Sequence, residues 1–245
     1  MITYFSKKGH INICEDSLTS MVFDFLKYLP IEMFWEILKK SLCQDKLPKV
    51  SGEEMQISFW EKWNADGTQN SIYVEPDVFI RFSKFNVIVE AKRYDENQQY
   101  KEQMTKEIKA YYNEFQDNKQ LYFIQCGGLN NHNNEPDIKM NNNSVVICKT
   151  NWTKLLTEIV TLREQDYISN SQARILDDLI RGFELFGFFR KTWLNSLKLQ
   201  KIGEATTDVF EWLCEVTSQD KWLYSLKSKE IENYNNINLF NYAKR

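Results

Sequence analysis

Residues 75 to 92, Glu-Pro-Asp-Val-Phe-Ile-Arg-Phe-Ser-Lys-Phe-Asn-Val-Ile-Val-Glu-Ala-Lys, set an aspartate, a glutamate and a lysine on two short apolar runs. At the two-residue period of a strand, Asp77, Phe79 and Arg81 share one face of the first run, and Val78, Ile80 and Phe82 share the other. A turn over Ser83, Lys84 and Phe85 follows. In the second run Glu90 and Lys92 emerge from one face while Val87, Val89 and Ala91 point the opposite way. Pairing of the runs as a hairpin would bring Asp77 to them. Two carboxylates meeting an ammonium suit Mg²⁺-dependent hydrolysis of a phosphodiester. Asp77 and Glu90 are hard oxygen ligands that leave coordination positions to water and to a substrate phosphate. A metal there polarises the phosphate and acidifies a bound water, while Lys92 orients that water or neutralises charge on the phosphate oxygens. The same residues would equally decorate the exposed face of a plain antiparallel hairpin.

Pro76-Asp77 followed by Glu90-Ala91-Lys92 resembles the PD-(D/E)XK nuclease superfamily, whose restriction-endonuclease-like core carries Pro-Asp on one strand and Asp/Glu-X-Lys on the next. The resemblance implies an α/β fold, a mixed β-sheet flanked by helices. It also implies Mg²⁺ or Mn²⁺ bound by Asp77, Glu90 and the carbonyl of Ala91, with Lys92 beside the attacking water. Hydrolysis of DNA by in-line attack, leaving a 5′-phosphate and a 3′-hydroxyl, is what such a site is expected to perform. In many members the first helix adds a glutamate, and Glu15, Glu32 and Glu36 are the candidates. Glu15 is favoured because Glu-Asp-Ser-Leu-Thr-Ser beside an apolar helix looks like the first-helix segment of related nucleases, although an acid at a helix start is also what the macrodipole favours. Some branches place a glutamine on the helix after the lysine, a position that Gln103 holds here.

The order of elements around the motif agrees with that core. Leu18, Met21, Val22, Phe25, Leu26 and Leu29 repeat at helical spacing behind Asp16 and Ser17, either of which suits an N-cap. Pro30 ends this helix and suits the first turn of another that buries Phe34, Trp35, Leu38 and Leu42. Gln56 to Trp60 reads as a strand, Asn64-Ala65-Asp66-Gly67 as a turn, and the motif hairpin follows. Tyr100, Met104, Ile108, Tyr111, Tyr112 and Phe115 mark an amphipathic helix. Leu121 to Cys126, closed by Gly127-Gly128, is apolar enough for a central strand buried on both faces. Residues 1–150 would thus form the nuclease core, and residues 151–245 a helical extension packed on it. The extension is expected to shape the cleft, form a homodimer surface or dock a partner protein. Residues 230–245 are rich in asparagine and tyrosine and read as a partly ordered tail.

Glu135-Pro136-Asp137 repeats the Glu-Pro-Asp triplet within an asparagine-rich stretch, but no acid-X-lysine strand follows it, so a solvated loop is expected there. The chain has two histidines, His10 and His132, without metal or triad partners in sequence, and no Gly-rich loop with the lysine and hydroxyl of an NTP site. Its five cysteines are far apart, which argues against a disulfide framework or a zinc ribbon. No run reaches the roughly 20 apolar residues of a membrane span, and a cytoplasmic protein is expected.

The 245 residues are 42% hydrophobic and carry a net charge of −3, which argues against tight autonomous DNA binding. Arg190 and Lys191, with Lys198 and Lys201, alternate with aromatics in an acid-free stretch that would track a nucleic-acid backbone, or would simply end an amphipathic helix. A nuclease of this make is expected to serve bacterial defence against foreign DNA, activated by a partner protein. The competing expectation is a catalytically silent nuclease fold that binds nucleic acid or assembles with a partner. RNA or single strands would use the same site, because cleft shape sets substrate choice.

Overall fold

A computed structural model describes residues 12–52, 55–70, 72–115, 118–140 and 143–190. Two helices, α1 (Glu15–Leu26) and α2 (Ile31–Ser41), precede β1 (Met55–Phe59), a small pair β2 (Trp63–Asn64) and β3 (Tyr73–Val74), and then β4 (Val78–Phe82) and β5 (Phe85–Ala91). Helix α3 (Lys101–Glu114) leads to β6 (Gln120–Cys126), β7 (Ile138–Met140) and β8 (Asn143–Thr150), and helices α4 (Trp152–Arg163) and α5 (Asn170–Leu185) follow. Six strands form one mixed sheet in the order β1-β4-β5-β6-β8-β7. β5, β6 and β8 run parallel at its centre, with antiparallel pairs outside them.

The alternation of side chains on β4 and β5 separates two apolar layers. Val78, Ile80, Phe82, Val87, Val89 and Ala91 pack into one with α1, α2, α4 and α5. Phe79 and Ile88 enter the other, with Met104, Ile108 and Tyr111 of α3 and with Trp63 of the small hairpin. Every residue of β5 is buried, so the face that carries Glu90 is covered by α3 and is not an exposed hairpin face. Helices α4 and α5 share the first layer with the sheet and belong to the same compact unit.

Local chemistry corrects several boundaries. Cys14, not Asp16 or Ser17, is the N-cap of α1, and Ser17 turns back to accept from the Cys14 N–H at 3.1 Å. Pro30 is itself the N-cap of α2, one position before the first turn expected for it. Tyr100 caps α3 and is exposed, outside the apolar stripe that begins at Met104. The turn expected at Asn64 to Gly67 belongs to the β2–β3 hairpin, and β7 lies beyond the repeated triplet, where only loop was expected. The asparagine-rich loop is clamped rather than merely solvated. Lys46 Nζ donates to the Glu135 carbonyl at 2.9 Å, and the buried Lys149 pairs with Glu135 at 2.7 Å. Trp152 to Leu162 and Ile175 to Phe183 fall on α4 and α5, with Phe186 the C-cap of α5, whereas the helical stretch from Val209, the tail from Glu230, Lys198, Lys201, His10 and Cys214 lie outside the described residues.

Candidate active site

The β4–β5 register pairs Val78 with Val89, so Asp77 stands just beyond the last pair, opposite Glu90. Asp77 Oδ2 accepts from the Ala91 N–H at 2.8 Å, closing this end of the hairpin. Glu90 and Lys92 leave the same face of the strand, and Lys92 Nζ lies 2.5 Å from Glu90 Oε1 and 3.1 Å from Glu15 Oε1. The other Glu15 oxygen accepts from the Arg93 N–H at 3.1 Å. Glu15 is the first residue of α1, and its carboxylate therefore ties the helix start to the end of β5. Glu36 instead pairs with Lys40 on α2, and Glu32 shares a surface groove with Lys39 and Lys49.

Gln103 enters from α3 and donates its Nε2 to Glu90 Oε1 at 2.5 Å. One turn further along the helix, Glu107 reaches both Glu90 and Gln103 and is 2% exposed. Sequence reasoning missed Glu107. Its signal was an acid set between Met104, Ile108 and Tyr111, that is, a charge inside the buried stripe of a helix. Gln99, also missed, donates to the carbonyls of Glu90 and Gly127, both at 3.1 Å.

The two glycines that end β6 are part of the same construction. Both have positive φ, and a Cβ on Gly127 would stand 2.1 Å from the Lys92 carbonyl oxygen, while one on Gly128 would meet the Lys92 side chain at 2.8 Å. Only a residue without a side chain lets β6 turn against Lys92 this closely. The Lys92 carbonyl also accepts from Trp152 Nε1 at 2.8 Å.

Electrostatics follow from burial of several acids around one base. Burial and then the Glu90 carboxylate push the Asp77 carboxyl up to about 8, and the Ala91 N–H and Lys92 only partly oppose them. Burial pushes Glu107 well above the ordinary carboxylate range, with Glu90 adding to it. For Lys92 burial acts downward, but Glu90, Glu15 and Asp77 outweigh it and hold the ammonium above its ordinary value. Lys92 is therefore a fixed cation and hydrogen-bond donor at neutral pH, not a base.

Asp77, Glu90, Ala91, Lys92, Glu15 and Gln103 are thus brought together. Two further residues were expected to meet substrate. Arg190 is ion-paired with Glu164 at the surface, its charge already answered by an acid, and Lys191 lies outside the described residues. Among the described residues no three acid, histidine or cysteine side chains form a ready metal cage. The donor set nonetheless suits a hard divalent ion: Asp77 and Glu90 stand opposite each other on adjoining strands and offer carboxylate oxygens. Asp77, Glu90 and the Ala91 carbonyl are the residues that would hold it.

These features define a mixed α/β protein whose six-stranded sheet is flanked by helices and carries an acid-lysine cluster at the end of a central strand. No protein-family model matches the chain. It is 28% identical over 233 residues to an uncharacterized protein of Pasteurella multocida, a match covering 89% of this chain and 85% of the relative. Among the described residues no helix is long and apolar enough to cross a membrane.

Proposed function

We propose that this protein is a metal-dependent DNA nuclease of the PD-(D/E)XK type with a restriction-endonuclease-like core. The observation that carries the proposal is Lys92 Nζ between Glu90 and Glu15, with Asp77 opposite Glu90 on the adjoining strand. Mg²⁺ or Mn²⁺ held by Asp77, Glu90 and the Ala91 carbonyl would polarise the phosphodiester and acidify the attacking water. Lys92, protonated and anchored, orients that water and offsets charge gathering on the phosphate oxygens. Glu15 keeps the ammonium in place. Gln103 holds Glu90 Oε1 and so sets how the carboxylate faces the cleft. Covering of the sheet face by α3 excludes bulk water from behind the cluster.

A polyanionic substrate also suits the outer side of α3. An open groove there is lined by Lys101, Lys106 and Lys109 with Glu102 as its one acid, so a flanking stretch of backbone would find excess positive charge. A role in bacterial defence against foreign DNA belongs to the same proposal. The second reading, a nuclease fold silent until a partner activates it, draws on the engagement of Glu90 Oε1 by both Lys92 and Gln103 at 2.5 Å, which occupies a ligand atom in the resting state.

The test is cleavage of labelled duplex DNA, single-stranded DNA and RNA by the wild type and Lys92→Ala, with Mg²⁺, Mn²⁺ or EDTA. Metal-dependent cleavage abolished in the variant supports the nuclease and names its substrate. Absence of cleavage on all three under every condition shifts the conclusion to the silent form.

A further inference from the structure

The catalytic scheme above makes no use of the segment that joins Lys92 to α3. Residues 93–100, Arg-Tyr-Asp-Glu-Asn-Gln-Gln-Tyr, carry two tyrosines, and both are exposed, Tyr94 at 48% and Tyr100 at 59%. A single exposed ring on a protein surface is ordinary. These two lie at the ends of one loop, and that loop is closed on a single residue. The Gly128 N–H donates to the Tyr94 carbonyl at 2.8 Å, and the Gly128 carbonyl accepts from the N–H groups of Gln98 and Gln99 at 2.8 and 3.3 Å. A Cβ on Gly128 would meet the Lys92 side chain, so both tyrosines leave the backbone beside the proposed phosphodiester site.

The inner side of the loop is tied down while the rings are left outside. Asp95 accepts from the Leu129 N–H at 3.3 Å and from Asn151 Nδ2 at 2.8 Å. Gln99 holds the carbonyls of Glu90 and Gly127, and Asn97 makes the turn at a φ of 55°, which asparagine tolerates. An ordered frame of this kind presents a ring without an entropic cost at the moment of binding. Positive charge stands on either side. The Arg93 guanidinium lies 4.8 Å from the Tyr94 ring centroid, and its own hydrogen bonds go to the carbonyls of Ile13 and Phe186, so it brings no acid with it. Lys101 follows Tyr100 directly and opens the cationic groove along α3, against the one exposed acid at the loop tip, Glu96.

Aromatic faces set between cations stack on nucleobases while the backbone passes. Within a duplex each base already has a neighbour on both faces, so a protein ring can stack only on a base that is out of the helix or at its end. We propose that Tyr94 and Tyr100 stack on unpaired bases, and that the Asp77 to Lys92 site therefore acts on single-stranded nucleic acid or on a single-stranded end of a duplex. Any paired stretch beyond that end is left to the groove along α3. This inference rests on the nuclease reading above and names its substrate class.

The test is binding to the full chain in EDTA, read by fluorescence anisotropy, of a labelled DNA strand without self-complementarity, the RNA of the same sequence and the duplex of that DNA with its complement. Tyr94→Ala and Tyr100→Ala are each expected to weaken single-strand binding at least about fivefold and to leave duplex binding nearly unchanged. The salt slope of single-strand binding should stay as it is, because no phosphate contact is removed. Tyr94→Phe and Tyr100→Phe keep the ring and should restore the affinity. Tyr28→Ala, beyond the far end of α1 and also beside a cation, Lys27 at 5.4 Å, is the control. A loss shared by DNA and RNA strands supports the platform and widens the substrate to both, whereas a loss on DNA alone names DNA. A wild type that binds no single strand, an affinity unmoved by either alanine, or an equal loss on strand and duplex overturns the platform. Cleavage of single strands at the wild-type rate by Tyr94→Ala/Tyr100→Ala would overturn it and leave the nuclease standing. Ring-dependent binding without cleavage in Mg²⁺ or Mn²⁺ would do the reverse.

Discussion

Glu15 and Lys92 lie 77 positions apart in the chain, yet the Glu15 carboxylate stands 3.1 Å from the Lys92 ammonium and also caps the N–H of Arg93. The start of the first helix and the end of the central strand are therefore one electrostatic unit. Lys92 has 16% of its side chain exposed and Glu90 only 4%, so this unit is shielded from the screening that weakens surface pairs. Replacing Lys92 with Met is expected to leave Glu90 buried without its counter-charge and to destabilise the metal-free protein by about 3–5 kcal/mol. Divalent metal should restore much of that loss. Cleavage should fall by about 10²–10³ even in the refolded, metal-loaded variant. Denaturant melts with and without Mn²⁺, paired with single-turnover cleavage, check both parts. A Lys92→Met protein as stable as the wild type in EDTA would show that the pair contributes nothing to the fold.

Asp77 predicts a pH dependence of stability. Its carboxyl sits at about 8 in the metal-free fold against an ordinary value of 3.8, through burial and then Glu90. The folded chain therefore keeps a proton that the unfolded chain releases. The stability linked to it is complete below about pH 4 and is lost as pH rises towards 8, with a slope of at most about 1.4 kcal/mol per pH unit. Melts in EDTA are expected to weaken between pH 6 and pH 8, and Asp77→Asn to flatten that decline. Since a ligating carboxylate must be ionised, Mn²⁺ affinity should rise over the same window, with proton release on binding. An unchanged pH slope in the variant would remove Asp77 as its source.

Gly127 predicts a local steric effect on the site. An alanine there would need a positive φ and would place its Cβ 2.1 Å from the Lys92 carbonyl oxygen. Gly187 has a positive φ of 85°, but among the described residues nothing lies within 4 Å of where an added methyl group would stand, so Gly187→Ala isolates the backbone cost, about 1 kcal/mol. Gly127→Ala should lose more stability than Gly187→Ala and should also lose cleavage, because the strand end that carries Lys92 must move. Equal melting shifts for the two variants would mean that the contact relaxes without cost.

Much of this arrangement was legible because strand periodicity and a short motif speak about neighbours. Asp77, Glu90 and Lys92 sit on adjoining strands whose alternation places all three on one face, and the same alternation sets Val78, Ile80 and Phe82 on the opposite face from Phe79. What was not legible depends on contacts across the fold. Glu107 reads locally as one more charge on a charged helix, and only the packing of α3 onto β5 and β6 shows that it points inward. The second Glu-Pro-Asp triplet was separable from the first by its missing acid-X-lysine strand, but its clamp was invisible, since Lys46 lies 89 positions from Glu135. Arg190 illustrates the same limit, since its ion pair with Glu164 on another segment is not visible in the composition of the basic stretch.

That clamp yields a prediction of its own. Lys149 is 2% exposed and pairs with Glu135 at 2.7 Å, so Glu135→Gln removes the counter-charge of a buried ammonium and leaves it neutral oxygens only, from the amide and from Asn131 at 3.4 and 3.5 Å. Glu135 is 37% exposed, so destabilisation of only about 1–2 kcal/mol is expected, with cleavage per folded molecule unchanged, because neither residue touches the Asp77 to Lys92 cluster. Lys149→Met with Glu135→Gln should recover most of the loss, as an apolar replacement of both partners often does. Cleavage lost in proportion to the folded fraction would agree with a structural clamp; a lower rate per folded molecule would give the second triplet a part in the chemistry.

The groove along α3 makes the final prediction, through salt dependence rather than affinity alone. Lys101 and Lys106 line it with no acid partner closer than Glu102 among the groove residues, whereas Lys109 is already engaged by the Gly67 carbonyl. Each phosphate neutralised by a lysine contributes about 0.9 to the slope of log K against log salt concentration for duplex DNA. Binding of duplex DNA to Lys101→Ala/Lys106→Ala, measured without metal to prevent cleavage, should show a slope shallower by about 2 and weaker affinity on every sequence alike. The slope should not change in Lys92→Met by more than about 1, since that ammonium meets a single phosphate. A double variant with the wild-type slope would place the flanking backbone elsewhere on the protein, and would leave the site at Asp77, Glu90 and Lys92 to be approached from another side of the sheet.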